Sequence, residues 1–244
     1  NQEYEKAGHY LRRSLIMQFK QIQETIAYLP LSKRKKFIEN LGISYAAIFS
    51  ASNIHPKGKD LALFARINRH GLLEEIERQQ SQLASLSGSQ KTILDRIKGI
   101  TNVLASKGEL EDRLIIQLNN EKEELEIQLY KLLPEREARI IETSDVAKVI
   151  PSNSLLIEYQ KYRPFKFETP ADALEVKSWG EARYQAFVLH PNGEIESIDL
   201  GHASPIEEKI QQALLASEQS LADAQDLWNE VSELVVKPLA KATA

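Results

Sequence analysis

Arg183-Tyr-Gln-Ala-Phe-Val-Leu-His-Pro-Asn-Gly-Glu-Ile-Glu-Ser-Ile-Asp-Leu-Gly201 is the stretch that decides the fold class. Its first eight residues are rich in aromatic and β-branched side chains, the composition of a strand. Pro191-Asn192-Gly193-Glu194 supplies turn chemistry, and Ile195, Ile198 and Leu200 then recur among polar neighbours. The spacing predicts a β-hairpin that ends at Gly201.

Working outward, Ser154 to Lys161 is a second strand-like run, and the charged, poorly patterned stretch Pro164 to Gly180 reads as a long exposed connection. Downstream, Ser204-Pro205 opens a helix with Pro at its first position, and Leu221 to Leu239 forms another. Thr143-Ser144-Asp145 looks like the cap of a short helix that stops before Pro151. A sheet of about three strands is small, so a further part of the sheet is expected outside these residues.

Upstream of residue 143 the pattern is helical. Leu11, Leu15, Ile16, Phe19, Ile22 and Ile26 follow three- and four-residue steps between Tyr4 and Tyr28, and Pro30 ends that helix. Ser32 is read as the N-cap of a second helix carrying Phe37, Ile38, Leu41, Tyr45, Ile48 and Phe49 on one face. Asp60 caps a third that runs to about Leu86, with Gly71 as an interruption point; Gln90 to Ser106 and Glu109 to Leu133 make two more, paired as an antiparallel hairpin. Leu110, Leu114, Leu118, Leu125, Leu129 and Leu132 form a stripe that suits either an internal core or a partner helix. The helices share no fixed repeat period, so tetratricopeptide repeats are not expected within the chain. The fold class is therefore a mainly α N-terminal helical bundle (1–142) followed by a partial α/β region (143–244).

The 244 residues carry a formal net charge of -4, with 42% hydrophobic and 27% charged residues. That composition fits a folded soluble chain and provides no global positive field for nucleic acid or anionic lipid. There is no cysteine, which removes disulfides, thiolate metal sites and thiol nucleophiles together and agrees with a cytoplasmic setting. No apolar run is long enough for a membrane span, and no signal peptide is visible. The chain opens at Asn1 with Met17 its only methionine, which reads as an excised piece of a longer polypeptide.

Candidate chemistry is sparse. His9, His55 and His70 show no paired ligand spacing, so surface or structural roles are expected and no metal or cofactor. His190 and His202 flank the hairpin. Asp199 and His202 admit an acid–histidine pair or a simple turn cap, and no nucleophile accompanies them. Glu158 is either half of a buried ion pair or a solvent-facing strand residue. Lys33-Arg34-Lys35-Lys36 is either a solvated helix face or a contact for phosphate or an acidic partner; no Gly-rich loop or stacking platform accompanies it. Trp228 is expected to pack inward and Trp179 to anchor a loop beside Gly180.

Three runs carry a family resemblance: Leu155-Leu-Ile-Glu-Tyr-Gln-Lys-Tyr-Arg-Pro-Phe165, Arg183-Tyr-Gln-Ala-Phe-Val-Leu-His-Pro191, and Ile198-Asp-Leu-Gly201 followed by Pro205-Ile206. In that order they resemble the opening of a CHAT domain, a caspase-like domain associated with tetratricopeptide repeats. Tyr28-Leu-Pro-Leu-Ser-Lys-Arg-Lys-Lys-Phe37 looks like the helical region that precedes it. The resemblance implies a caspase-like α/β sheet, peptide-bond hydrolysis by a Cys activated by a His, and control by upstream repeats. The family's His-Gly and Cys motifs lie after Ala244, so no catalytic residue is carried over, and His190 does not match the family's His. The expectation is a noncatalytic scaffold whose partner is another protein or the rest of its parent polypeptide. A free-standing helical adaptor is the alternative.

Overall fold

Gly193 and Gly201 are the two positions where the hairpin demands left-handed backbone, with φ of 87° and 96°, a conformation glycine adopts without the Cβ penalty. Gly193 closes the turn, where its N–H donates to the His190 carbonyl and the His190 N–H donates to Glu194. Gly201 does not end the strand as expected. It sits opposite Tyr184 beside a register shift at Tyr184/Gln185, and β3 continues to His202. A bulge inserts one residue, bends the strand and lets pairing resume.

In the computed structural model the described residues are 2–26, 29–39, 42–53, 55, 57–83, 87–106, 110–131, 139–166 and 178–240. They form helices α1 (Gln2–Ile26), α2 (Leu31–Glu39), α3 (Gly42–Ala51), α4 (Gly58–Leu83), α5 (Gly88–Ala105), α6 (Asp112–Lys131) and α7 (Thr143–Val149). Strands β1 (Leu156–Tyr162), β2 (Arg183–Leu189) and β3 (Ile195–His202) follow, then α8 (Ala203–Glu218), α9 (Ala224–Val235) and a 3-10 turn, Lys237–Leu239. The chain is mainly helical, with a three-stranded antiparallel sheet in the order β1-β2-β3.

Several boundaries differ from the sequence reading. Where one second helix was expected, the described residues form α2, ending at Glu39, and α3, beginning at Gly42; residues 40–41, Leu41 among them, lie outside the described residues. Ser32 lies inside the first turn of α2, because Pro30 already accepts from the Lys33 N–H. Asp60 likewise falls inside α4, and Gly71 does not interrupt that helix. The connection from Pro164 to Gly180 begins as an extension of the ladder: Phe165 and Trp179 form a bridge, with their rings edge to face at 4.9 Å. Residues 167–177 lie outside the described residues.

The chain divides into two compact units that interleave along the sequence. The first comprises residues 1–13, 42–67 and 141–244. Its sheet is covered on both faces, as alternation along the strands shows. Glu158, Gln160 and Tyr162 of β1, with Gln185 and Phe187 of β2, face α3 and α4: Phe49 lies 6.3 Å from the Phe187 ring and 6.4 Å from the Tyr162 ring. Tyr159, Lys161 and Tyr184 face α8 and α9, where the hydroxyls of Tyr184 and Tyr159 donate to Glu207 and to the Val235 carbonyl. With cover on both sides, Gln185 through Leu189 are all buried. Leu61 through Ala65, in the first turns of α4, are buried without interruption. Arg12 joins Asp60 and Glu142 and lies 4.1 Å above the Phe64 ring.

The second unit comprises residues 14–41 and 68–140. Leu15, Phe19, Ile22 and Ile26 are buried along α1, as their spacing predicted, together with Ile38, Leu72, Leu94, Ile100 and Leu129. Helices α5 and α6 pair as a hairpin held by Arg96, which donates two hydrogen bonds to Glu121. Among the described residues of the Leu stripe, Leu129 is buried, Leu110, Leu118 and Leu125 are half-buried and Leu114 is exposed; Leu132 lies outside the described residues.

Candidate functional site

The acid–histidine pair considered at Asp199 and His202 does not form. Asp199 sits near the end of β3 and accepts from Nε and Nη2 of Arg183, at 3.2 Å and 2.5 Å, and from the Gly201 N–H. The cross-strand position of Arg183 at the start of β2 makes this two-point contact possible. Burial alone would raise the Asp199 carboxyl; the Arg183 guanidinium, the Gly201 N–H and nearby His202 outweigh it and hold the group below its ordinary value. Arg183 is in turn raised, chiefly by its hydrogen bonds to Asp199.

His202, the residue preceding α8, pairs elsewhere. Its Nε2 lies 3.3 Å from Arg183 Nη1 and its Nδ1 lies 3.2 Å from Glu181. Since guanidinium can only donate, Nε2 acts as the acceptor and Nδ1 as the donor in this arrangement. The four residues Glu181, His202, Arg183 and Asp199 form a continuous chain of polar contacts at one end of the sheet. Across the turn, His190 Nε2 meets Glu196 at 3.0 Å, closing the other end of the hairpin.

The remaining candidates take structural positions. His9 meets the neighbouring Tyr10 ring edge to face, and His55 accepts from the Lys57 N–H. Glu158 pairs with Arg66 at 3.0 Å, with side chains 17% and 19% exposed. Periodicity offered no signal for Arg66 as its partner, which lies 92 residues away. In the basic run, Lys33 pairs with Glu123, while Arg34 is fully buried with its Nε donating to the Leu29 carbonyl. The run is therefore not one solvated face. Trp228, expected to pack inward, is 37% exposed and donates through its indole N–H to Ser217.

A cluster that sequence reasoning missed lies under the sheet. Gln185 is fully buried at the centre of β2, and its Nε2 donates to Ser52 at 2.7 Å, with Asn53 Oδ1 at 3.2 Å and Ser197 also in range. Asn53 donates to the Tyr162 hydroxyl at 3.0 Å. Burial pushes the Tyr162 phenol up, reinforced by Asp199. A Gln among Tyr, Ala, Phe, Val and Leu was the available signal, because a polar residue in the middle of a buried run must find partners.

The chain contains no cysteine, so it lacks the thiol of a cysteine nucleophile. Among the described residues no group of three or more His, Cys, Asp or Glu side chains is placed to hold a metal ion, and no helix is long and apolar enough to cross a membrane. No protein-family model, curated protein or solved structure matches the chain.

Proposed function

We propose that the chain is a noncatalytic scaffold: a helical region joined to the amino-terminal part of a CHAT-type, caspase-like domain within a larger, cytoplasmic polypeptide. The observation that carries this reading is the ordered set of motifs on β1, β2 and β3. It is supported by a sheet whose two faces are covered while its outer strands, β1 and β3, each have a neighbour on one side only among the described residues. An unpaired strand edge accepts a further strand. On this reading the residues here carry no step of hydrolysis, and the His and Cys of the parent belong to polypeptide following Ala244. Reading the coding frame past Ala244 tests it. Continuation into a His-Gly motif and a later Cys is the expected result; an immediate stop codon overturns it.

A free-standing helical adaptor is the second reading, favoured by one observation: Val103 on α5 and Leu114 and Ile116 on α6 are 41–62% exposed. A stop codon after Ala244 together with loss of partner binding in Leu114→Asp would support the adaptor over the scaffold.

A further inference from the structure

Two buried carboxamide oxygens, Gln160 Oε1 and Gln185 Oε1, accept from no described group. Their orientations follow from their partners. Gln160 Nε2 donates to the Lys161 carbonyl, which can only accept, so the nitrogen must stand on that side. Ser52 gives its own proton to the Phe49 carbonyl at 2.7 Å and therefore faces Gln185 as an acceptor, which sets the Gln185 nitrogen toward it. Rotating either amide would place two acceptors in contact.

Gln160 and Gln185 are direct cross-strand partners, on the face of the sheet toward α3. Side chains so paired start about 5 Å apart at Cβ, within the span of one bridging molecule. Gln160 is 8% exposed and Gln185 0%, and a buried acceptor left without a donor loses its hydration for nothing in return. The hydroxyls of Tyr162 and Ser197 belong to the same cluster. Each accepts from an amide, Tyr162 from Asn53 and Ser197 from Gln185, and each retains a proton to donate.

We infer that one internal water molecule is a fixed component of this cluster, donating to Gln160 Oε1 and Gln185 Oε1 and accepting from the Tyr162 or Ser197 hydroxyl. Water suits the site because it supplies two donors and takes about three hydrogen bonds when buried. A dehydrated metal cation needs more oxygen ligands than these side chains offer. The bridge joins β1 to β2 on the face of the sheet that packs against α3.

A crystal structure of the full chain at about 1.5 Å tests the assignment. The expected result is a single peak within hydrogen-bond distance, about 3.2 Å, of both oxygens. In solution, the Gln185 side-chain amide protons should show a cross-peak to long-lived water, and that cross-peak should be lost in Gln160→Met, which keeps the shape and removes an acceptor. Density showing both oxygens bonded to protein donors with no bridging peak overturns the inference, as does a wild-type chain without the water cross-peak. If Gln160→Met does not fold, the wild-type density and cross-peak decide.

Discussion

Removing Arg66 leaves the Glu158 carboxylate four-fifths enclosed without its cation, and losing one partner of such a pair costs more than losing both. Arg66→Met is expected to destabilise the chain by about 1–3 kcal/mol in urea unfolding, and adding Glu158→Leu should recover most of the loss; additive losses would show that the pair is uncoupled. Asp199 makes a pH prediction. Its folded-state value lies below the ordinary one, so the unfolded chain takes up the proton first as pH falls. Its contribution is present above about pH 4, the ordinary carboxylate value, and is lost as pH falls through the folded value. The urea midpoint of the wild type should therefore fall more steeply below about pH 4 than that of Asp199→Asn. Equal slopes would place the titration elsewhere. At this scale the sequence named Glu158, Asp199 and His202 as candidates but not their partners, because Arg66, Arg183 and Glu181 are chosen by the register and by the approach of a distant helix.

Helices and turns respond to glycine in opposite directions. Gly99 lies inside α5 with nothing within 4 Å of an added Cβ, so Gly99→Ala should stabilise by about 0.5–1 kcal/mol. Gly193 holds the hairpin turn at φ 87°, so Gly193→Ala should destabilise by about 1 kcal/mol. Thermal unfolding of the two variants checks both signs together. Elements of this kind were legible because their causes are local: three- and four-residue apolar spacing along α1 and strand-forming residues on either side of Pro191-Asn192-Gly193-Glu194; α8 was also legible, although it starts at Ala203, two residues before the Pro205 expected at its first position. Of the boundaries that moved, two show contacts the local pattern did not contain: Asp60 sits inside α4 and bonds Arg12 and Thr143, and Gly201 stays in β3 opposite Tyr184.

At the scale of the molecule, the sheet depends on helices from far upstream. Residues 42–67 belong to the same compact unit as residues 141–244, and Phe49, Ser52, Asn53 and Arg66 all contact the sheet through side chains. A fragment of residues 143–240 lacks that cover, exposing Phe187 and Gln185. It is expected to bind a hydrophobic dye and to unfold without a cooperative transition, whereas the full chain should not; a cooperative transition in the short piece would show that α3 and α4 are dispensable. The composition and periodicity of the chain were sufficient by themselves to determine a mainly helical protein, a hairpin turning at residues 191–194 and the absence of thiol chemistry, since each depends on residue type and near neighbours alone. Only the tertiary structure decided that α3 and α4 cap the sheet, that Arg34 is buried, and that Gln185 anchors a polar cluster, because burial and pairing between residues tens of positions apart depend on how the chain folds back on itself.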